Sequence, residues 1–268
     1  MGSVYRLTLR QLSGRWRLLI TIVLASLPVV MGLIATVGDD PPSAKDFEGI
    51  VINGMLSGSI LPLVVLAIAS AAFANEVEDR TLANLTLSPI PRWQIVVPKL
   101  LGAMTVSTPF LVGSAFITSQ LFYDGDMTAV LAVSVGAFVA VALYSSVFIW
   151  AGLMTTRAIG FGLLYVFLWE GLFSSFVGGV RFLSIRHYSI ALMHGIDDRR
   201  FAGGDNLSFG VAIGAALAVF SIFLLLSIRR LGRLRRMDVP QAGGDAWSWA
   251  GRRSSGRILA ERIRLLSA

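Results

Sequence analysis

Asn75-Glu76-Val77-Glu78-Asp79-Arg80-Thr81-Leu82 lies between two long apolar runs, Gly54–Ala74 and Pro98–Phe122, and leads through Leu85 to Pro89-Ile90-Pro91-Arg92 and Lys99. Only 15% of the 268 residues are charged, yet this connection gathers Glu76, Glu78 and Asp79 with Arg80, Arg92 and Lys99. A charged segment between two such runs is a loop that leaves the membrane. Leu82 and Leu85 fall on one helical face, so the segment reads as a surface that docks on something outside the bilayer.

Each flanking run holds 20 or more residues, and at 1.5 Å per residue ~20 residues match the ~30 Å hydrocarbon thickness of a bilayer. Working outward, six spans are expected: Leu18–Val37, Gly54–Ala74, Pro98–Phe122, Thr128–Met154, Ile159–Val177 and Leu207–Ile228. The chain is 55% hydrophobic with mean hydropathy +0.72, whereas a soluble domain carries about 25% charge. The expected fold class is all-α, a polytopic membrane protein with six transmembrane helices. Cysteine is absent, which excludes disulfides and thiolate metal sites. The net charge of +7 comes from bases that flank the spans, where they set topology and meet lipid headgroups. It points to membrane lipids and gives no reason to expect nucleic acid.

Those bases orient the chain. Arg6, Arg10, Arg15, Arg17, Arg80, Arg92, Lys99, Arg157 and ten Arg after the sixth span share one side; Lys45, Arg181, Arg186, Arg199 and Arg200 hold the other. A split of 18 to 5 puts both termini in the cytoplasm of a multi-pass cell-membrane protein. The first external loop, with Asp39, Asp40, Asp46 and Glu48 against Lys45, is acidic as this requires.

Residues 1–17 read as an amphipathic helix in the headgroup plane, with Arg6, Arg10 and Arg17 on one stripe, Trp16 opposite and Ser13-Gly14 as a break. An ordinary basic N-terminus is the competing reading. Residues 18–236 form the membrane domain, with a cytoplasmic loop at about 75–97 and an external loop at about 178–206. The external loop reads as short interfacial helices ending near Gly195, or else as a span that starts and turns back. Residues 237–268 are expected to be a mobile basic tail. Gly54-x-x-x-Gly58 and Gly210-x-x-x-Gly214 allow close helix approach.

Within the cytoplasmic loop, carboxylates at the start of a short helix favour the positive end of its dipole. Pro89 and Pro91 end the helix and force an extended return. At these residues a family resemblance emerges. Glu76-x-Glu78-x-x-Thr81-Leu82-x-x-Leu85, then Pro89, Arg92 and Lys99, resembles the first cytoplasmic loop of ABC-2-type transporter permeases. The likeness runs over roughly residues 1–236.

The resemblance implies that this segment is a coupling helix docked on a separate cytoplasmic ABC ATPase subunit. Glu76, Glu78, Asp79, Arg80, Thr81, Leu82 and Leu85 would form the docking element, and Pro89, Arg92 and Lys99 would anchor it, the two bases on lipid phosphate. It also implies pairing with a second permease copy or a related permease, and export driven by ATP and Mg²⁺ bound on the partner. No Gly-x-x-x-x-Gly-Lys-[Ser/Thr] loop occurs in this chain, so phosphate cradling has no candidate here. The chain itself is expected to hold no cofactor or metal and no catalytic residue.

Glu170 lies inside the fifth expected span. An ionisable group at that depth is a functional-site hypothesis by default. It lines the translocation path or the dimer seam, carries a proton, or is a structural acid bonded to a neighbouring helix. The rival function is therefore a secondary transporter or channel using Glu170 as its ion-coupling acid. A membrane-embedded enzyme has no motif in its favour, and a non-transporting scaffold for a cytoplasmic partner is the third alternative. His187 and His194 share a helical spacing, but two imidazoles alone make a poor metal site.

Overall fold

Apolar helices side by side in lipid gain little from the hydrophobic effect, so close packing and a few polar bonds decide their arrangement. The computed structural model describes residues 2–37, 43–78, 91–123, 125–155, 157–168, 184–199 and 208–237. Every element among them is helical. Five helices are long and apolar enough to cross a membrane: Arg15–Val37, Lys45–Phe73, Trp93–Tyr123, Met127–Met154 and Phe209–Gly232. The expected span Ile159–Val177 is represented by a shorter apolar helix, Ala158–Leu168. The rest of it, including Glu170, lies outside the described residues, as does the tail beyond Met237.

The second span is the centre of the bundle: 78% of it is buried, against 22% of the first span and 17% of the last. It starts at Lys45 rather than at the expected Gly54, so Asp46 and Glu48 belong to the helix rather than to an external loop. The local reason is a capping box. Ser43 Oγ accepts the Asp46 N–H at 3.2 Å and donates to Asp46 Oδ2 at 2.6 Å. Phe47 then stacks on Phe122 with centroids 3.7 Å apart, and the Tyr123 hydroxyl donates to Glu48 Oε1 at 3.1 Å. From Glu48 to Ile60 the helix is wound more widely than an α-helix, with i→i+5 bonds.

The third span begins at Trp93, five residues before the expected Pro98, which the helix carries in its interior. A proline inside a membrane helix is tolerated where neighbouring helices satisfy the freed backbone. A tight turn with Gly125 at φ +92°, a conformation open to glycine, leads into the fourth span. There Asp126 caps the helix by accepting from the Thr128 and Ala129 N–H groups.

A further helix, Ile185–Ile196, is capped by Ser184 and packs on the fourth and last spans. Its Arg186 reaches the wide part of the second span, where Nε donates to Asn53 Oδ1 at 2.6 Å. Gly58 makes room, since a Cβ there would lie 3.1 Å from the guanidinium. Asn53 thus holds this arginine from mid-helix. Among the described residues nothing lies within 4 Å of a Cβ built at Gly210 or Gly214, so there they bring no helix close.

Candidate functional site

The segment singled out by sequence connects the end of the second span to the start of the third, and its two stems lie among the described residues. Its outgoing stem is set by a break at Ser70. There both the N–H and the hydroxyl of Ser70 bond the Leu66 carbonyl, the hydroxyl at 2.6 Å. The Ser70 carbonyl lies against Gly152 of the fourth span, where a Cβ would come within 2.7 Å of it. The chain then continues as the helix Ala71–Glu78, with Ala72 and Phe73 completely buried.

Lys99, on the incoming stem, closes the base of the segment. It is 2% exposed, and a buried ammonium requires partners. It has three. Lys99 Nζ donates to Glu76 Oε1 at 2.5 Å and to the Ala72 carbonyl, and it lies 4.3 Å from the centroid of the Phe73 ring. The two stems, 23 residues apart in sequence, are thereby clasped through one charge pair.

The N-terminal helix Gly2–Leu12 braces this end. Thr8 and Leu12 are buried, and Thr8 sits against Gly102, where a Cβ would fall 2.8 Å from its methyl. The Tyr5 hydroxyl donates to Thr105 Oγ1 at 3.0 Å. The helix ends at Leu12, and Arg17 beyond the break donates to the Gln11 carbonyl at 3.2 Å. It also touches the stem helix Ala71–Glu78.

The structure therefore brings together Glu76 and Lys99 and gives both a different role from the one expected. Lys99 bonds protein rather than lipid phosphate, because its ammonium reaches a carboxylate and a carbonyl inside the bundle. Glu76 is turned into this clasp, not outward. Arg92 is half-buried in the first turn of the third span, where its carbonyl accepts from the Ile95 and Val96 N–H groups. Glu78 ends the stem helix. Asp79, Arg80, Thr81, Leu82, Leu85 and Pro89 lie outside the described residues.

The clasp was missed, although a signal for it existed. An acid ends one apolar run and a lysine opens the next, so opposite charges meet at one membrane depth on antiparallel neighbours. Among the described residues no group of three or more His, Cys, Asp or Glu is placed to hold a metal.

Comparison with known proteins agrees with this geometry. A family model described as "ABC-2 family transporter protein" matches residues 9–177. The match takes in only the last four residues of the N-terminal helix, then the first four long helices with the segment between Glu76 and Lys99, and stops short of the helix Ile185–Ile196. A search of curated proteins found no significant match. With well over half of its 268 residues matched, and five apolar helices long enough to cross a membrane, this multi-pass membrane protein belongs to the ABC-2 transporter family.

Proposed function

We propose that the chain is the transmembrane permease subunit of an ABC-2-type exporter, driven by a separate cytoplasmic ATPase that docks on the segment between Glu76 and Arg92. The observation that carries this reading is the clasp. A segment meant to transmit force needs a base that does not yield, and a lysine ion-paired inside the bundle supplies one. The distribution of bases supports cytoplasmic termini and a segment on the ATP side of the cell membrane. ATP and Mg²⁺ bind on the partner, and the permease acts as a pair of copies or of related chains. Pro89 and Arg92 hold the returning strand at the membrane surface.

Because Glu76 is committed to the clasp, docking falls to Glu78, Asp79, Arg80, Thr81, Leu82 and Leu85. The test is co-purification of the tagged chain from its native membranes, beside a Glu78/Asp79→Ala variant that leaves the clasp intact. An ABC ATPase recovered with the native chain and lost with the variant supports the reading. A folded chain that brings down no ATPase in either form refutes it.

A further inference from the structure

Between the fourth and last spans, under the helix Ile185–Ile196, lies an apolar cleft of about 410 Å³. Each wall is a single helical stripe. Val135, Phe138 and Ala142 line it from the fourth span, and Phe209, Ile213 and Ala216 from the last. Leu192 and Ile196 roof it, Met104 closes its floor, and all of the residues lining it are apolar. Phe138, Ile213 and Leu217 are substantially exposed, so the cleft opens sideways into the hydrocarbon rather than into water.

Its dimensions restrict the occupant. Along the last span the lining runs from Phe209 to Phe220, about 16 Å at 1.5 Å per residue, or about half of a ~30 Å hydrocarbon core. A methylene takes about the space of a water molecule, ~30 Å³, so the cleft accepts roughly 14 of them. That is one saturated chain reaching from one membrane surface to the midplane. The mouth adds charge. Ile196 is followed by Asp197, which is buried and accepts from the Arg199 N–H at 3.2 Å, and then by Asp198 and Arg199, both exposed, so a phosphate and an ammonium each meet an opposite sign at this end of the cleft.

We propose that this cleft holds one acyl chain of a zwitterionic bilayer phospholipid, in the leaflet opposite the Glu76–Lys99 clasp. The lipid fills the gap between the fourth and last spans and ties the helix Ile185–Ile196 to both. This is a site for a resident lipid and is independent of what the permease transports. A second copy of the chain is a poor occupant, because a helix about 10 Å across does not enter a cleft of this volume.

The test places the full-length protein in phosphatidylethanolamine vesicles carrying a trace of the same lipid with a photoreactive diazirine in its acyl chain. Adducts are mapped by mass spectrometry. The expected result is labelling of Phe138, Ala142 and Ile213 severalfold above that of Leu19 and Ile22, which face lipid on the first span. Ala142→Phe, which fills the cleft, should bring that labelling down to the first-span level and leave the first span unchanged. Ile213→Trp at the rim serves the same purpose if Ala142→Phe does not fold.

Uniform labelling of all lipid-facing positions, or labelling insensitive to both variants, overturns the proposal. So does protection of the whole cleft, Leu217 included, from lipid adducts while the first span is labelled, which means that a second copy covers it. Equal labelling from tagged phosphatidylglycerol overturns the zwitterionic assignment.

Discussion

Replacing Lys99 by Met keeps most of the apolar stem and removes the charge, so it isolates what the clasp contributes. The side chains of Lys99 and Glu76 are only 3% and 14% exposed. Removing one member of a buried pair leaves the other ion in low dielectric without its partner, which costs about 3–5 kcal/mol. Lys99→Met also gives up the contact with the Phe73 ring, itself worth up to about 2 kcal/mol when desolvated. Glu76→Leu should cost less than Lys99→Met, because the ammonium keeps the Ala72 carbonyl and the aromatic face. The double variant leaves no charge behind, and packed apolar replacements of buried pairs are often neutral. The two single costs should therefore fail to add by at least about 2 kcal/mol. Reversible unfolding in mixed micelles with graded dodecyl sulfate, followed by tryptophan fluorescence, measures all four corners of the cycle. Additivity within about 0.5 kcal/mol, as for independent sites, would refute the clasp.

Gly152→Ala puts a methyl within 2.7 Å of the Ser70 carbonyl, a backbone atom that cannot turn aside; overpacking of this kind costs about 1–3 kcal/mol, read in the same unfolding titration. Arg186→Ala removes a charged bond to Asn53 across 133 residues, worth about 1.5–3 kcal/mol, and limited proteolysis should then cut around the helix Ile185–Ile196 faster than in the native chain. The absence of native cysteine makes a Tyr5→Cys/Thr105→Cys pair an unambiguous reporter of the N-terminal helix. It should cross-link through a short bifunctional thiol reagent that spans the place of the tyrosine ring, and adding Gly102→Leu should suppress the cross-link by driving Thr8 off the third span.

The long apolar helices were legible because lipid imposes a length and a composition that soluble folds do not. Their limits were less so. Lys45, Asp46 and Glu48 hid nine residues of the second span, although Ser43-x-x-Asp46 is a capping signature that reading for apolar runs ignores. Pro98 was taken as a beginning because proline favours a first turn, but the helix had already started at Trp93. Burial was not legible at all. The last span is the most apolar and the least buried, while the second is less apolar and forms the core. In lipid the outer surface of the bundle is as apolar as its centre, so hydropathy cannot separate one from the other. The role of Lys99 was misread because a base at the edge of a span was referred to the headgroups before its neighbours were considered.

The charge pair between residues 76 and 99 joins the two stems of the segment, so the chain between the stem helix that ends at Glu78 and the third span that starts at Trp93 is a loop closed at its base. The entropy of closing such a loop depends only on the logarithm of its length, about 0.6 kcal/mol for each doubling. Residues between Glu78 and Arg92 can be inserted, deleted or exchanged with little effect on the helices below. Mutational tolerance should thus change sharply at the ends of the two stem helices. The scaffold is held constant while the loop is free to diverge, and one membrane bundle can be matched to a new version of the proposed soluble partner by changes confined to about a dozen consecutive residues.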